Sequence, residues 1–316
     1  MKENSTVFEQ RWSLWMAGVS GITLAIGTGL ALWVQFHQTE LGQLQDAAKH
    51  SLLTSYNNIS HGVWIAVLLL LTGILIRSVS RSPSSKNLSA STPKSWISRL
   101  ATSIKHHPAT SIVLIAYVSI MVQESSWFFK EILTWYDDIY TDHLLNNFSF
   151  RQSFINETMR RNDFRFFPLS HQDLHVLSWL TPYTKAWSLV SAVELIITIV
   201  LGCNVVQIIN KNKSSGSLFL MGSLLFLFTS ATAYNYFQFI YSERFLTFLL
   251  AAYIYHYCLY QKSGEQRNGR LALLFALFIP FFKDSAILLA VVPALTTITL
   301  GSIGKLNNYP RWNTLK

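Results

Sequence analysis

Stretches of apolar residues, each roughly 20 long, recur along this chain, and that is the length a helix needs to cross about 30 Å of hydrocarbon. Inside a bilayer every backbone N–H and C=O must find a partner within the protein, so such runs fold as helices. The rest of the composition agrees. Half of the 316 residues are apolar and only 13% are charged, where soluble domains carry about 25% charged residues. The sequence therefore predicts an all-α polytopic transmembrane bundle. The first apolar run is too long for a secretory signal and lacks a small-residue cleavage site, so it reads as a retained span.

About eight spans are expected. They run from Leu14 to Val34, Val63 to Ile76, Ser111 to Phe129, Trp187 to Ile209, Leu218 to Ile240, Phe245 to Tyr260, Leu271 to Phe282 and Ala286 to Ile303. Pro108 opens the third, a position where its missing N–H costs nothing. The seventh is short and contains Pro280, which predicts a tilted, broken or partly re-entrant segment. Three regions follow from this reading: a two-span hairpin over 1–80, a basic and polar linker over 81–108, and a six-span core over 109–316. That core holds a long loop over 130–185.

The net charge of +9 does not imply nucleic acid, because the cations sort by loop. Arg77, Arg81, Lys86, Lys94, Arg99 and Lys105 fill one connection without an acid. Lys211 and Lys213, then Lys262, Arg267 and Arg270, then Lys305, Arg311 and Lys316 fall on the same side. The positive-inside rule makes that side cytoplasmic and places both termini there. Aromatics such as Trp127, Phe128, Trp135 and Tyr140 near the start of the long outer loop suit the membrane interface. One or two amphipathic helices lying in that plane are expected. Cys203 and Cys258 sit in predicted spans without metal or redox spacing and read as small apolar core residues.

Chemistry is expected on the outer side. Asp137 and Asp138 are adjacent carboxylates at the head of the long loop, able to act as general base, as metal ligands, or as both. Their plainer role is a polar boundary where lipid stops. Arg160, Arg161 and Arg165 lie among Asp163 and Phe164, Phe166 and Phe167. Paired N–H donors of this kind clamp phosphates, or anchor the chain to anionic headgroups. His171 and His175 are one helical turn apart with Asp173 between them, a spacing open to a transition metal or to a polar rim that hydrogen-bonds substrate. Glu194 falls inside the fourth span, where an ionisable group is expensive unless paired or hydrated. Glu243 and Arg244 form a tight outer turn and either pair with each other or leave Arg244 facing an anion. Lys283 precedes Asp284 at the same level, placed to meet phosphate or to pair with its neighbour and cap a helix.

These motifs, in this order, resemble membrane glycosyltransferases of the GT-C fold, which use polyprenyl-phosphate sugars. The likeness is carried by Trp135-Tyr136-Asp137-Asp138, by Asp163-Phe164-Arg165-Phe166-Phe167-Pro168-Leu169, by Tyr241-Ser242-Glu243-Arg244-Phe245 and by Phe282-Lys283-Asp284-Ser285-Ala286, and covers Ser111 to Pro293. The resemblance implies inverting transfer of a sugar from a lipid phosphate to an acceptor outside the cytoplasm. Asp137 or Asp138 would be the base, and Arg165, Arg244 and Lys283 would steady the departing phosphate. Arg161, His171, His175 and Glu243 would complete the substrate site. Some members of that family bind a divalent metal and others do not, so a metal at Asp137 and Asp138 stays open. A polysaccharide polymerase or ligase, a lipid-linked sugar transporter and a non-catalytic membrane subunit are the competing expectations. A transporter would carry its polar groups near mid-bilayer in paired halves, which this chain does not display.

Overall fold

The structure, a computed structural model, describes residues 46–81, 105–127, 184–210, 216–237, 241–283 and 285–292, with isolated positions between 25 and 45 and between 169 and 183. Every element among these residues is helical, and none is a strand. They are α1 (Gln38–Gln43), α2 (Asp46–Arg81), α3 (Pro108–Trp127), α4 (Thr184–Asn210), α5 (Gly216–Leu227), α6 (Ser230–Phe237), α7 (Glu243–Ser263), α8 (Gln266–Phe278) and a 3₁₀ turn over Ile279–Phe281. Residues 286–292 are helical again. Residues 1–68 form one compact unit and residues 69–316 another; the packing described here belongs to the second.

Two helical stretches are long and apolar enough to cross a membrane, Gly62–Arg81 and Lys185–Ile209. A third span results if α5 and α6, bent by 73° at their junction, count as one. The third predicted span corresponds to a shorter apolar helix over Pro108–Glu124. The sixth and seventh correspond to α7 and α8. Helix α8 ends at Phe278, where Pro280 enters the 3₁₀ turn; its missing N–H and fixed ring end regular α-helix there. The first predicted span lies largely outside the described residues, as do most of the last span, the basic linker and the loop expected to carry interfacial helices.

Helix α4 organises the second unit, and its burial pattern is inverted relative to a water-soluble helix. Its inward face carries Ser188, Ser191, Ala192, Leu195, Thr198, Ile199 and Cys203, all buried, while Leu189, Val193, Ile197 and Ile209 are exposed. Small and hydroxyl-bearing residues let helices approach closely and hydrogen-bond across the contact, which is how helices associate where lipid removes the hydrophobic drive. The bonds are present: Ser188 Oγ donates to Met121 O on α3 at 3.2 Å, and Ser191 Oγ to Tyr236 O on α6 at 2.9 Å. The core on this side joins Met121, Ala192, Leu195, Ile199, Cys203, Leu227 and Tyr236. A second core joins Leu246, Leu249 and Tyr253 of α7 to Ala272, Ile279, Phe282 and Ala286.

The outward faces are apolar on several helices at once: Leu69 is 66% exposed, Ile112 68%, Leu225 69% and Phe228 74%. In water so much exposed apolar surface marks aggregation or an interface. Against lipid tails it carries no such cost, so these helices belong in a membrane.

Candidate functional site at the head of α7

The site starts from a local conflict. Arg244 stands in the first turn of α7, where the helix dipole disfavours a cation, and it is only 1% exposed. Two carboxylates resolve the conflict. Arg244 Nη1 donates to Glu194 Oε2 at 2.9 Å, and Nη2 pairs with Asp173 Oδ2. A planar guanidinium holds two acceptors in fixed directions from separate nitrogens, a geometry that a single ammonium nitrogen does not impose. Arg244 Nε is buried and has no hydrogen-bond partner among the described residues, so the two terminal nitrogens carry the contacts with the acids.

Glu194 reaches this point from the middle of α4. Its contact with Arg244 explains why a carboxylate is tolerated inside a span: it is paired, as the sequence reading required of it. Around the pair, Thr198 Oγ1 donates to Glu194 O at 2.7 Å. The Tyr236 hydroxyl lies 3.4 Å from both Thr198 Oγ1 and Arg244 O. Asp173 comes from the segment before α4, which is held nearby by Leu169 N donating to Phe281 O at 2.9 Å.

A second ion pair stands beside the first. Glu243, at the N-terminal end of α7 where the dipole favours an anion, pairs with Lys283 Nζ. Ser242 Oγ donates to Phe282 O at 3.2 Å, so the turn into α7 is tied twice to the turn after the 3₁₀ element. Tyr241 on the same turn has its phenol pushed up to about 12, first by its hydrogen bond with Tyr234, then by burial and the nearby Glu243 carboxylate. The Tyr234 and Tyr241 rings are 5.0 Å apart.

The structure thus brings together Asp173, Glu194, Glu243, Arg244 and Lys283 from four separate parts of the chain. It also redistributes the expected pairs. Glu243 and Arg244 do not pair with each other, because neighbours on a helix point about 100° apart. Lys283 pairs with Glu243; Asp284 lies outside the described residues. Asp173, read as a companion of the two histidines, pairs with Arg244. Tyr236, Thr198 and Ser191 support the cluster and went unnoticed in the sequence. Their only signal was a run of Ser and Thr at helical spacing along α4. Asp137, Asp138, Arg161, Arg165, His171 and His175 lie outside the described residues. Among the described residues, no group of three or more His, Cys, Asp or Glu side chains is placed to hold a metal ion.

The described charges form two neighbouring groups, Arg244 between Asp173 and Glu194, and Lys283 with Glu243. Arg244 is sealed from solvent, whereas Lys283 and Glu243 retain 36% and 27% side-chain exposure, so of these two cations Lys283 is the one that a soluble or headgroup anion can reach. Compared with protein-family profiles, with curated proteins and with solved structures, the chain matches none.

Proposed function

We propose that this chain is a multi-pass membrane enzyme, of about eight spans with both termini cytoplasmic, that moves a sugar from a polyprenyl-phosphate donor to an acceptor on the outer side. The observation that carries the reading is the convergence of Asp173, Glu194, Glu243, Arg244 and Lys283 at the head of α7. Charged residues from separate parts of the chain meet there, Glu194 from within α4 and the others beside helix ends, which suits a substrate with a tail in lipid and a charged head at the surface. Asp137 or Asp138 acts as the base that deprotonates the acceptor hydroxyl. Lys283, the partly exposed cation, steadies the leaving phosphate with Arg161 and Arg165. His171 and His175 line the sugar site. Arg244 positions the Asp173 segment against α4 and α7 instead of touching phosphate.

Membrane glycolipids extracted with and without the chain, and compared by mass, test the reading. Asp137→Ala and Asp138→Ala should each abolish the new product while insertion and expression stay unchanged. Full activity in both variants and in the double variant would remove the base assignment. A non-catalytic membrane subunit is the second reading, favoured by the burial of Arg244 against two protein carboxylates. It requires that no product depend on this chain alone in reconstituted membranes.

A further inference from the structure

The cluster at the head of α7 leaves unexplained a cleft lower on the same bundle. The α5–α6 pair turns by 73° between Leu227 and Ser230. The two axes diverge there, and a cleft of about 410 Å³ opens beside the break, between these helices and Thr247 of α7. Breaks in membrane helices persist where they line a ligand site or cavity and where the freed backbone groups find other partners. Here the second condition is met from within: Thr229 Oγ1 and Thr232 Oγ1 both donate to Phe226 O, at 3.1 and 2.6 Å.

That internal use of hydroxyls fixes what the cleft can recognise. Thr247 Oγ1 is likewise taken, by Glu243 O at 2.6 Å. The walls left to a ligand are the surfaces of Gly222, Leu225, Phe226, Ala231 and Tyr236, whose hydroxyl faces Thr198 Oγ1 and Arg244 O, and the side-chain amide of Asn235. Among the described residues that amide has no hydrogen-bond partner. The threonine hydroxyls spend their protons on backbone carbonyls and keep only acceptor lone pairs, so a sugar or other polyol finds a single side-chain amide as donor. A hydrocarbon chain carrying a single acceptor fits. Leu225 on the wall of the cleft is 69% exposed, part of the apolar surface that faces lipid tails.

We infer that the α5–α6 break is a binding cleft for an acyl chain of a bilayer phospholipid, whose ester carbonyl accepts a hydrogen bond from Asn235 Nδ2. The inference rests on membrane insertion and stands whether or not the chain transfers sugar. A bound chain would fill the wedge and brace α6, and through Tyr236 the Arg244 cluster above it.

The test is native mass spectrometry of the full chain in detergent, titrated with palmitoyl-oleoyl phosphatidylcholine. The wild type should retain one molecule tightly. Ala231→Trp fills the cleft and should weaken retention at least about tenfold, the effect of losing a buried chain segment. Ala233→Trp, on the same helix outside the cleft, should bind as the wild type does. Asn235→Leu should weaken the ester lipid roughly fivefold, the worth of one hydrogen bond, and leave a diether analogue unaffected. This last comparison holds even if the tryptophan variant folds poorly. Unchanged retention by Ala231→Trp, no tightly held lipid in the wild type, or equal losses of ester and ether lipids by Asn235→Leu would each overturn the inference. Displacement of the phospholipid by equimolar oleate would overturn the choice of occupant.

Discussion

Replacing Arg244 with methionine should be far more damaging than neutralising either of its acidic partners, and the asymmetry follows from counting charges. In the native cluster one guanidinium serves Glu194 and Asp173, whose side chains are 10% and 16% exposed, for a net charge of −1. Arg244→Met removes the cation and leaves two carboxylates facing each other in a largely closed site. Removing one partner of a buried ion pair costs about 3–5 kcal/mol, because the remaining charge stays desolvated. Glu194→Gln does the opposite. The amide oxygen can still accept from Nη1, and one excess negative charge disappears. The loss is the difference between a charge-assisted and a neutral hydrogen bond, about 1 kcal/mol, and lower repulsion from Asp173 offsets it. Asp173→Asn should cost no more, since Asp173 is the better hydrated acid. Arg244→Lys should fall between, because one ammonium reaches a single carboxylate in good geometry. Arg244→Met combined with Glu194→Gln should recover roughly 2 kcal/mol of the single-variant loss, a coupling expected of residues in contact. Unfolding in mixed micelles, followed through the chain's 10 tryptophans, reads these differences. A penalty for Arg244→Met below about 1 kcal/mol, or one for Glu194→Gln as large as that for Arg244→Met, would refute the picture of a sealed and carboxylate-rich cluster.

The same unfolding measurement reaches other parts of the fold. A Cβ on Gly222 would sit 2.6 Å from Cys203 Sγ; Gly222→Ala should therefore cost about 1–3 kcal/mol by overpacking, despite alanine's better helix propensity. Adding Cys203→Ala should remove that cost. Gly264 caps α7 at φ 68° with its N–H donating to Tyr260 O, so Gly264→Ala should destabilise by about 1 kcal/mol through left-handed strain alone. Lys283→Ala should change stability by less than about 1 kcal/mol, because the partly exposed Glu243–Lys283 pair is screened. Under the proposed function it should nevertheless cut sugar transfer about tenfold or more; a transfer rate matching the wild type would remove Lys283 from the phosphate site.

How far the sequence reaches depends on the range of the physics involved. Apolar run length is a local property, and it sufficed to predict helices and membrane residence. It also singled out the span holding Pro280 as tilted, broken or re-entrant, and α8 gives way to a 3₁₀ turn there, because a missing N–H acts within one turn. It could not say that the fifth predicted span, Leu218 to Ile240, breaks near Thr229. Hydropathy there is continuous, and the break depends on hydroxyls of Thr229 and Thr232 capturing Phe226 O. Glu194 could be recognised as needing a partner because solvation of a charge in lipid is unfavourable wherever it sits. Which cation would answer it was invisible.

Pairing across the fold was decided by tertiary structure alone. Glu243 and Arg244 are adjacent in sequence and separate in space, since the helix sends their side chains to different neighbours. Asp173 and Arg244 are 71 residues apart and share one bond, because the Leu169–Phe281 contact and the packing of α4 on α7 bring them together. The sequence by itself determined the solvent this chain lives in and the helical form that solvent imposes. Only the folded bundle decided which charges neutralise one another and which cation stays within reach of water, because Coulomb energy depends on distance and burial, and neither is written in residue order.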